Sequence, residues 1–200
     1  YNRMVQYIHL ISNTTAASPL DIWQPSTNNI KPELADQWVL GYFRNFQDNR
    51  FETSVEAYYK TMSNQIDYIN GAQLLLNDSL EGDLLYGKGR SYGLELFAKK
   101  NTGAFTGWVS YTLARSERLV TGINDGNWYP NRFDRKHNLY IVSQYQFNQK
   151  WEFAANFVFS TGTPATFYTG QYSVQGYVVP DAGSNARNNV RNPAYHRLDL

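Results

Sequence analysis

The chain has 200 residues, no cysteine and a formal net charge of +1, from 18 Lys+Arg against 17 Asp+Glu. These figures exclude a disulfide framework and a Cys-ligated metal, and the charge balance leaves no basic footprint for nucleic acid. Aromatic residues are the excess, with 16 Tyr, 11 Phe and 5 Trp, residue types that suit both a membrane interface and a glycan-like ligand.

In chain order, the first predicted strand covers roughly 1–10. Tyr1-Asn2-Arg3-Met4-Val5-Gln6-Tyr7 already reads like the middle of a strand, so the chain is expected to be an excerpt of a longer protein and its start says nothing about targeting. A polar stretch broken by Pro19, Pro25 and Pro32 follows, and its turn chemistry makes it a loop. The second strand, 34–46, sets Trp38, Leu40 and Tyr42 on one face and Gln37, Val39 and Gly41 on the other. Gln47-Asp48-Asn49-Arg50 is a tight turn into strand 51–61, where Phe51, Thr53, Val55, Ala57 and Tyr59 alternate with Glu52, Ser54, Glu56, Tyr58 and Lys60.

A second long loop, 62–88, is read from Asn70-Gly71, Asn77-Asp78 and Gly87-Lys88-Gly89. Strand 89–100 then places Tyr92, Leu94, Leu96 and Ala98 opposite Ser91, Gly93, Glu95 and Lys99. Asn101-Thr102-Gly103 turns the chain into strand 105–116, with Phe105, Val109, Tyr111 and Leu113 on the apolar face. A third long loop covers 117–135. Strands 136–147 and 151–160 flank the turn Asn148-Gln149-Lys150, and a Gly-, Asn- and Tyr-rich loop, 161–193, leads to an alternating end at Tyr195–Leu200.

Greasy faces of this kind meet either a second sheet, in a soluble sandwich, or lipid, in an outer-membrane barrel whose other face lines a watery lumen. The strands run to about 10–12 residues, near the ~9–11 a tilted strand needs to cross a bilayer and well beyond the ~5–6 of ordinary sheets. Short turns fall near 47–50, 101–104 and 148–150, with every long loop at the other end. That one-sidedness favours the barrel, and Phe46, Phe51, Phe105, Phe147 and Trp151 are expected to form an aromatic girdle at the short-turn end. No stretch approaches the ~20 apolar residues of a transmembrane helix. The mean hydropathy of −0.55 does not count against barrel strands, which show lipid only half their residues.

Candidate chemistry is sparse. His9, His137 and His196 lie in different strands, with no close His pair for a metal, and no serine is singled out as a nucleophile; no enzyme and no cofactor is expected. Glu52, Glu56, Lys60, Glu95, Lys99 and Glu152 are expected to face the lumen, either solvating it or touching a plug or polar solute. Trp23, Trp128, Tyr129, Tyr168 and Tyr172, with Phe167 and Tyr177, crown the long-loop side, where their rings either stack on a ligand or pack the loops together. Asp134, Arg135 and His137 sit where the third loop re-enters the sheet, and a structural role fixing the loop base is expected of Asp134 and Arg135.

Several motifs carry a resemblance. Asn29-Ile30-Lys31-Pro32-Glu33, followed by Gln37 and Gly41, resembles the N-x-L-K-P-E…G segment of TonB-dependent outer-membrane receptors. Tyr92-Gly93-Leu94-Glu95-Leu96 is similar to their G-V-E-L strand, and Trp108-Val109-Ser110-Tyr111-Thr112 to the sYT strand one turn later. Tyr129-Pro130…Asp134-Arg135-x-His137 and Arg191-x-Pro193-x-Tyr195-x-Arg197-Leu198-Asp199-Leu200 resemble the Bacteroidetes form.

The resemblance implies an all-β transmembrane antiparallel barrel of 22 strands, of which this chain would hold about seven late ones. It implies a plug and C-terminal strands lying outside residues 1–200. It further implies an outer-membrane location in a Gram-negative bacterium, lipid around the barrel, and import of a scarce nutrient (a siderophore, cobalamin, metal chelate, peptide or oligosaccharide) with energy from a TonB–ExbB–ExbD complex. The other function class left open by the residues is a soluble all-β adhesion module whose aromatic loops bind glycans.

Overall fold

The computed structural model describes residues 1–11, 22–70, 72, 77, 80–181 and 186–200. Nine strands form one antiparallel sheet, and eight of them pair in chain order: β1 (Asn2–Gln6), β2 (Glu33–Phe46), β3 (Phe51–Tyr68), β4 (Leu84–Lys100), β5 (Phe105–Val120), β6 (His137–Gln146), β7 (Glu152–Ser160) and β8 (Tyr195–Asp199); the ninth, the two-residue strand Tyr129–Pro130, pairs with the end of β5. The eighth is the alternating end segment, which joins the about seven strands expected. Every neighbour in the sheet is a neighbour in sequence, the up-and-down order of a barrel wall.

Three hairpins close at one end. The β2–β3 turn needs left-handed backbone at Gln47, Asp48 and Asn49, with φ of 50°, 52° and 64°; Asn and Asp are the side chains that tolerate it best. The β4–β5 turn uses Gly103 at φ 104°. In the β6–β7 turn the Asn148 side-chain oxygen accepts the backbone N–H groups of Lys150 and Trp151, at 2.8 and 3.1 Å.

The register carries the period-two pattern of each strand across the sheet. Leu40 pairs with Ala57, Ala57 with Leu94 and Leu94 with Leu113; Tyr111 pairs with Leu139 and Leu139 with Phe159. One face is therefore a continuous apolar belt. It is not a core: Leu40 is 80% exposed and Phe153 45%. Such a patch on a water-soluble domain would be an association or aggregation site. Facing lipid, it has its natural solvent.

Aromatic rings bound this belt in two tiers. Phe46, Phe51, Phe105, Tyr145 and Phe153 stand near the short turns, and Trp38, Tyr59 and Tyr92 stand toward the long loops. Eight residues separate Phe46 from Trp38 and Phe51 from Tyr59. That is about 26 Å of strand, or about 20 Å along the axis at a tilt of roughly 40°, close to the ~25 Å apolar band of an outer-membrane barrel. The upper rings meet across strands, Tyr59 with Tyr92 at 6.2 Å and Trp38 with Tyr1 at 5.6 Å.

Beyond the upper tier the structure departs from the expected boundaries. β3 runs to Tyr68, β4 begins at Leu84 and β5 runs to Val120, so much of two expected loops is strand. The apolar side of the alternation ends at Tyr59 and Tyr92, where polar residues such as Thr61 and Arg90 take over, but backbone pairing continues. A bulge between Ser63 and Gln65 absorbs Asn64, at φ 58°, whose side-chain amide donates to the Pro32 carbonyl at 2.8 Å. Gly87, read as a loop breaker, is a strand residue: a Cβ there would lie 2.3 Å from the Leu119 carbonyl oxygen.

The first predicted strand also splits. Only Asn2–Gln6 joins the sheet, while Ile8–Ile11 pairs with Ile22–Pro25 as a separate hairpin. Within the last long loop, Pro164–Ala165 pairs with Val190–Arg191, and Gln171–Val174 with Tyr177–Pro180 around a tight turn at Gln175 and Gly176, both at positive φ. The buried apolar clusters of the described residues gather at this long-loop end: Ile11, Ile30, Ile66 and Leu84 in one, Val120, Ile123 and Tyr129 in another.

Candidate functional site

The long-loop end is where side chains from distant loops converge. Asp67, near the end of β3, is buried; its carboxylate accepts from Arg187 Nη1 at 2.7 Å and from the Tyr129 hydroxyl at 2.6 Å. Arg187 also donates through Nη2 to the Tyr68 carbonyl and the Asn70 side chain, each at 3.0 Å, and its guanidinium lies 4.2 Å from the Tyr68 ring. Asn124 brackets the same arginine: its Oδ1 accepts Arg187 N–H at 2.6 Å and its Nδ2 donates to the Arg187 carbonyl at 3.1 Å. Arg187, through its guanidinium and its backbone, thus ties together the second, third and fourth long loops. Burial pushes the Tyr129 phenol far above its ordinary pKa, and the adjacent Asp67 carboxylate pushes it further.

Asp134 forms a second node. It is 1% exposed, and its carboxylate accepts the Ser116 backbone N–H at 2.6 Å and Arg191 Nη2 at 2.5 Å. Arg191 also donates through Nη1 to the carbonyls of Asp134 and Gly162. A third node lies across the extensions of β4 and β5. There Glu117 sits between Arg90 and Arg115, at 2.7 and 2.9 Å, with Arg90 stacked 4.1 Å from the Trp128 ring. Burial opposes the ionisation of Glu117, but the hydrogen bonds and charges of the two arginines outweigh it and hold the carboxyl below its usual range. A fourth is His9, almost wholly buried, with Nε2 3.1 Å from Ser26 Oγ and Nδ1 3.5 Å from Glu33 Oε1.

Between these nodes and the polar face of the sheet lies a cavity of about 520 Å³, lined among others by Trp23, Glu33, Lys60 and Arg118. Its size falls in the ~300–1,000 Å³ range of small-molecule sites.

The residues singled out from sequence divide among several environments. Tyr129, expected in a ring of loop aromatics, is packed inside and spends its hydroxyl on Asp67, so its ring offers no open stacking face. Trp128 is half-buried beneath Arg90. Trp23, Tyr168 and Tyr172 are exposed, as are Phe167 and Tyr177, and of these Trp23 lines the cavity. The buried Asp134 takes its ion pair from Arg191 rather than from Arg135, which is exposed: Arg135 lies beside it in sequence but points outward, while the returning fourth loop brings Arg191 to it. His137 Nδ1 lies 2.7 Å from the Tyr111 hydroxyl, holding two neighbouring strands together.

Glu52, Glu56, Lys60, Glu95, Lys99 and Glu152 all share the polar face by register. Glu52 stands opposite Lys99, Glu56 opposite Glu95, Lys60 opposite Ser91 and Glu152 opposite Gln146. That face also carries Phe97 and Trp108, ring centroids 6.2 Å apart, so its alternation is less pure than the apolar face suggests. Sequence reading missed Asp67, Arg187, Arg90, Glu117 and Arg118; of the loop-binding arginines, only Arg191 lay in a motif that could have drawn notice. Among the described residues no group of three or more His, Asp or Glu is placed to hold a metal.

This architecture, an antiparallel wall with an apolar outside and interlocked loops at one end, can be compared with known families. The model for the family described as TonB dependent receptor-like, beta-barrel, matches residues 6–200. The chain belongs to this family. It is therefore a segment of a transmembrane β-barrel from a family of outer-membrane transport receptors. No curated protein and no solved structure matches it. The apolar belt is the lipid face of that barrel.

Proposed function

We propose that this chain contributes the late staves and extracellular loops of a receptor that captures a scarce nutrient at the cell surface and imports it with TonB-supplied energy. Family membership supports the class. The observation that carries the reading to this chain is the pair of aromatic tiers, eight residues apart on β2 and on β3, bounding a belt of exposed apolar side chains. They lie about 20 Å apart along the axis, close to the ~25 Å apolar band of an outer-membrane barrel, and in this reading the loop nodes stand beyond the band, in contact with the medium. Outer-membrane lipid, a TonB–ExbB–ExbD complex acting through a plug, and a small nutrient are the partners this function requires.

Two measurements test the proposal. Fractionation of the native host should place the full-length protein in the outer membrane. Growth on the limiting nutrient should fail alike when this gene or the TonB gene is deleted. Recovery in the soluble fraction, or uptake indifferent to TonB, would overturn it. Within the site, Trp128→Ala is expected to reduce uptake at unchanged expression because it removes the ring on which Arg90 rests; unaltered uptake would confine Trp128 to loop packing.

A further inference from the structure

The loop-tying arginines and the cavity cations differ in one respect. Arg90, Arg115, Arg187 and Arg191 each face a carboxylate at 2.9 Å or less. Lys60 and Arg118 line the cavity and, among the described residues, neither forms an ion pair with a carboxylate. Arg118 gives one N–H, from Nη1, to the Ile66 carbonyl at 3.1 Å, while its Nε is buried without an acceptor. Two like charges beside one cavity repel, and an anion between them relieves that repulsion.

The remaining charges have the same sign balance. Among the described residues Glu33 is the lining's only carboxylate. The buried His9 imidazole stands 3.5 Å from Glu33. The rest of the wall is apolar and polarisable: Met4 and Met62 lie on the polar face of the sheet and Trp23 comes from the separate hairpin. Methionine adapts its shape to a flat ring and tryptophan stacks on it.

We infer that this cavity seats an anionic small molecule with a flat apolar body, of the aromatic carboxylate class. The inference rests on the receptor reading above and names the ligand chemistry of that same mouth. The anionic group lies between Lys60 and Arg118, and the apolar body lies against Met62 and Trp23. A neutral ligand of the same shape would leave the cation repulsion in place.

The test uses the full-length receptor, purified in detergent from the outer membrane, and two probes of nearly equal shape: naphthalene-2-carboxylate and naphthalene-2-carboxamide. Calorimetric titration should show the carboxylate binding at least about tenfold more tightly, a difference of about 1.4 kcal/mol. Lys60→Gln, which removes a charge that makes no bond to another element, should cut that preference about threefold or more on its own. Combining it with Arg118→Gln should abolish the preference while leaving the amide affinity in place, and Glu33→Gln should strengthen carboxylate binding. Equal affinity for the two probes, binding of neither, or a preference that survives loss of both cations would overturn the inference. These outcomes are separable from failure of the receptor reading: a protein that fractionates to the outer membrane and binds both probes equally refutes the ligand class alone.

Discussion

Asp67 and Arg187 stand 120 residues apart in sequence and share one buried hydrogen bond of 2.7 Å. Removing one partner of such a pair strands the other charge in a dry site, which costs about 3–5 kcal/mol, whereas replacing both with apolar residues of similar volume is often close to neutral. Asp67→Asn is therefore expected to loosen the second, third and fourth long loops together, with faster proteolysis and amide exchange around 67–70, 124–130 and 186–189 and an unchanged barrel wall. The Asp67→Leu, Arg187→Met double variant should recover much of that protection. If Asp67→Asn leaves exchange in all three segments unaltered, the guanidinium is not the tie that joins them. Nothing in the sequence marks this pair, because a contact spanning 120 residues leaves no period and no local spacing. Asp134 was legible, since it sits at a loop base beside a strand, but its nearest cation in sequence was the wrong one. Ion-pair partners are chosen by the fold, and Arg191 reaches Asp134 only because Pro164–Ala165 and Val190–Arg191 pair and bring the fourth loop back.

At the scale of elements, legibility follows the solvent. Between the two aromatic tiers lipid demands an apolar residue at every second position, so β2, β5 and β6 and the membrane halves of β3 and β4 could be read within a few residues. Above the upper tier water bathes the outer face, the demand lapses, and the extensions of β3, β4 and β5 resemble loop sequence. What holds them is cross-strand chemistry, chiefly Glu117 between Arg90 and Arg115. The carboxyl of Glu117 is held below its ordinary pKa, so it binds fewer protons folded than unfolded across the intervening window. Its contribution is complete above the unfolded value of about 4.3 and is lost as pH falls through the lower folded value. Acidification from pH 7 to pH 3 should accordingly fray the β4 and β5 extensions, seen as faster amide exchange at 84–91 and 115–120 with the membrane halves still protected. Glu117→Gln should show part of that fraying already at pH 7 and a weaker pH response. Equal protection of the extensions in variant and parent at both pH values would remove Glu117 from this role.

At the scale of the whole molecule, the sheet has two ends and no closure: β1 pairs only with β2, and β8 only with β7. Each edge presents a row of unpaired backbone N–H and C=O groups, a template for any other strand. In a complete barrel those groups meet further staves, since a closed wall is the one sheet arrangement that satisfies every backbone group inside hydrocarbon. The apolar belt adds a second incompatibility with water, because Leu40, Tyr42, Phe153 and Leu198 are all at least 45% exposed, whereas the largest apolar patches on soluble monomers seldom pass a few hundred Å². The buried clusters at the long-loop end are too small to offset either feature. Residues 1–200 expressed alone are therefore expected to enter inclusion bodies or to remain in solution only with detergent, eluting as polydisperse species when light scattering follows size exclusion. Detergent should cover the belt but leave both edges open, so the segment should stay heterogeneous in micelles, and uniform only when the missing staves are supplied in the same chain. A monodisperse 200-residue protein that unfolds cooperatively in plain buffer would mean that the greasy face has found a protein partner instead of lipid, and the membrane reading of the belt would fall with it.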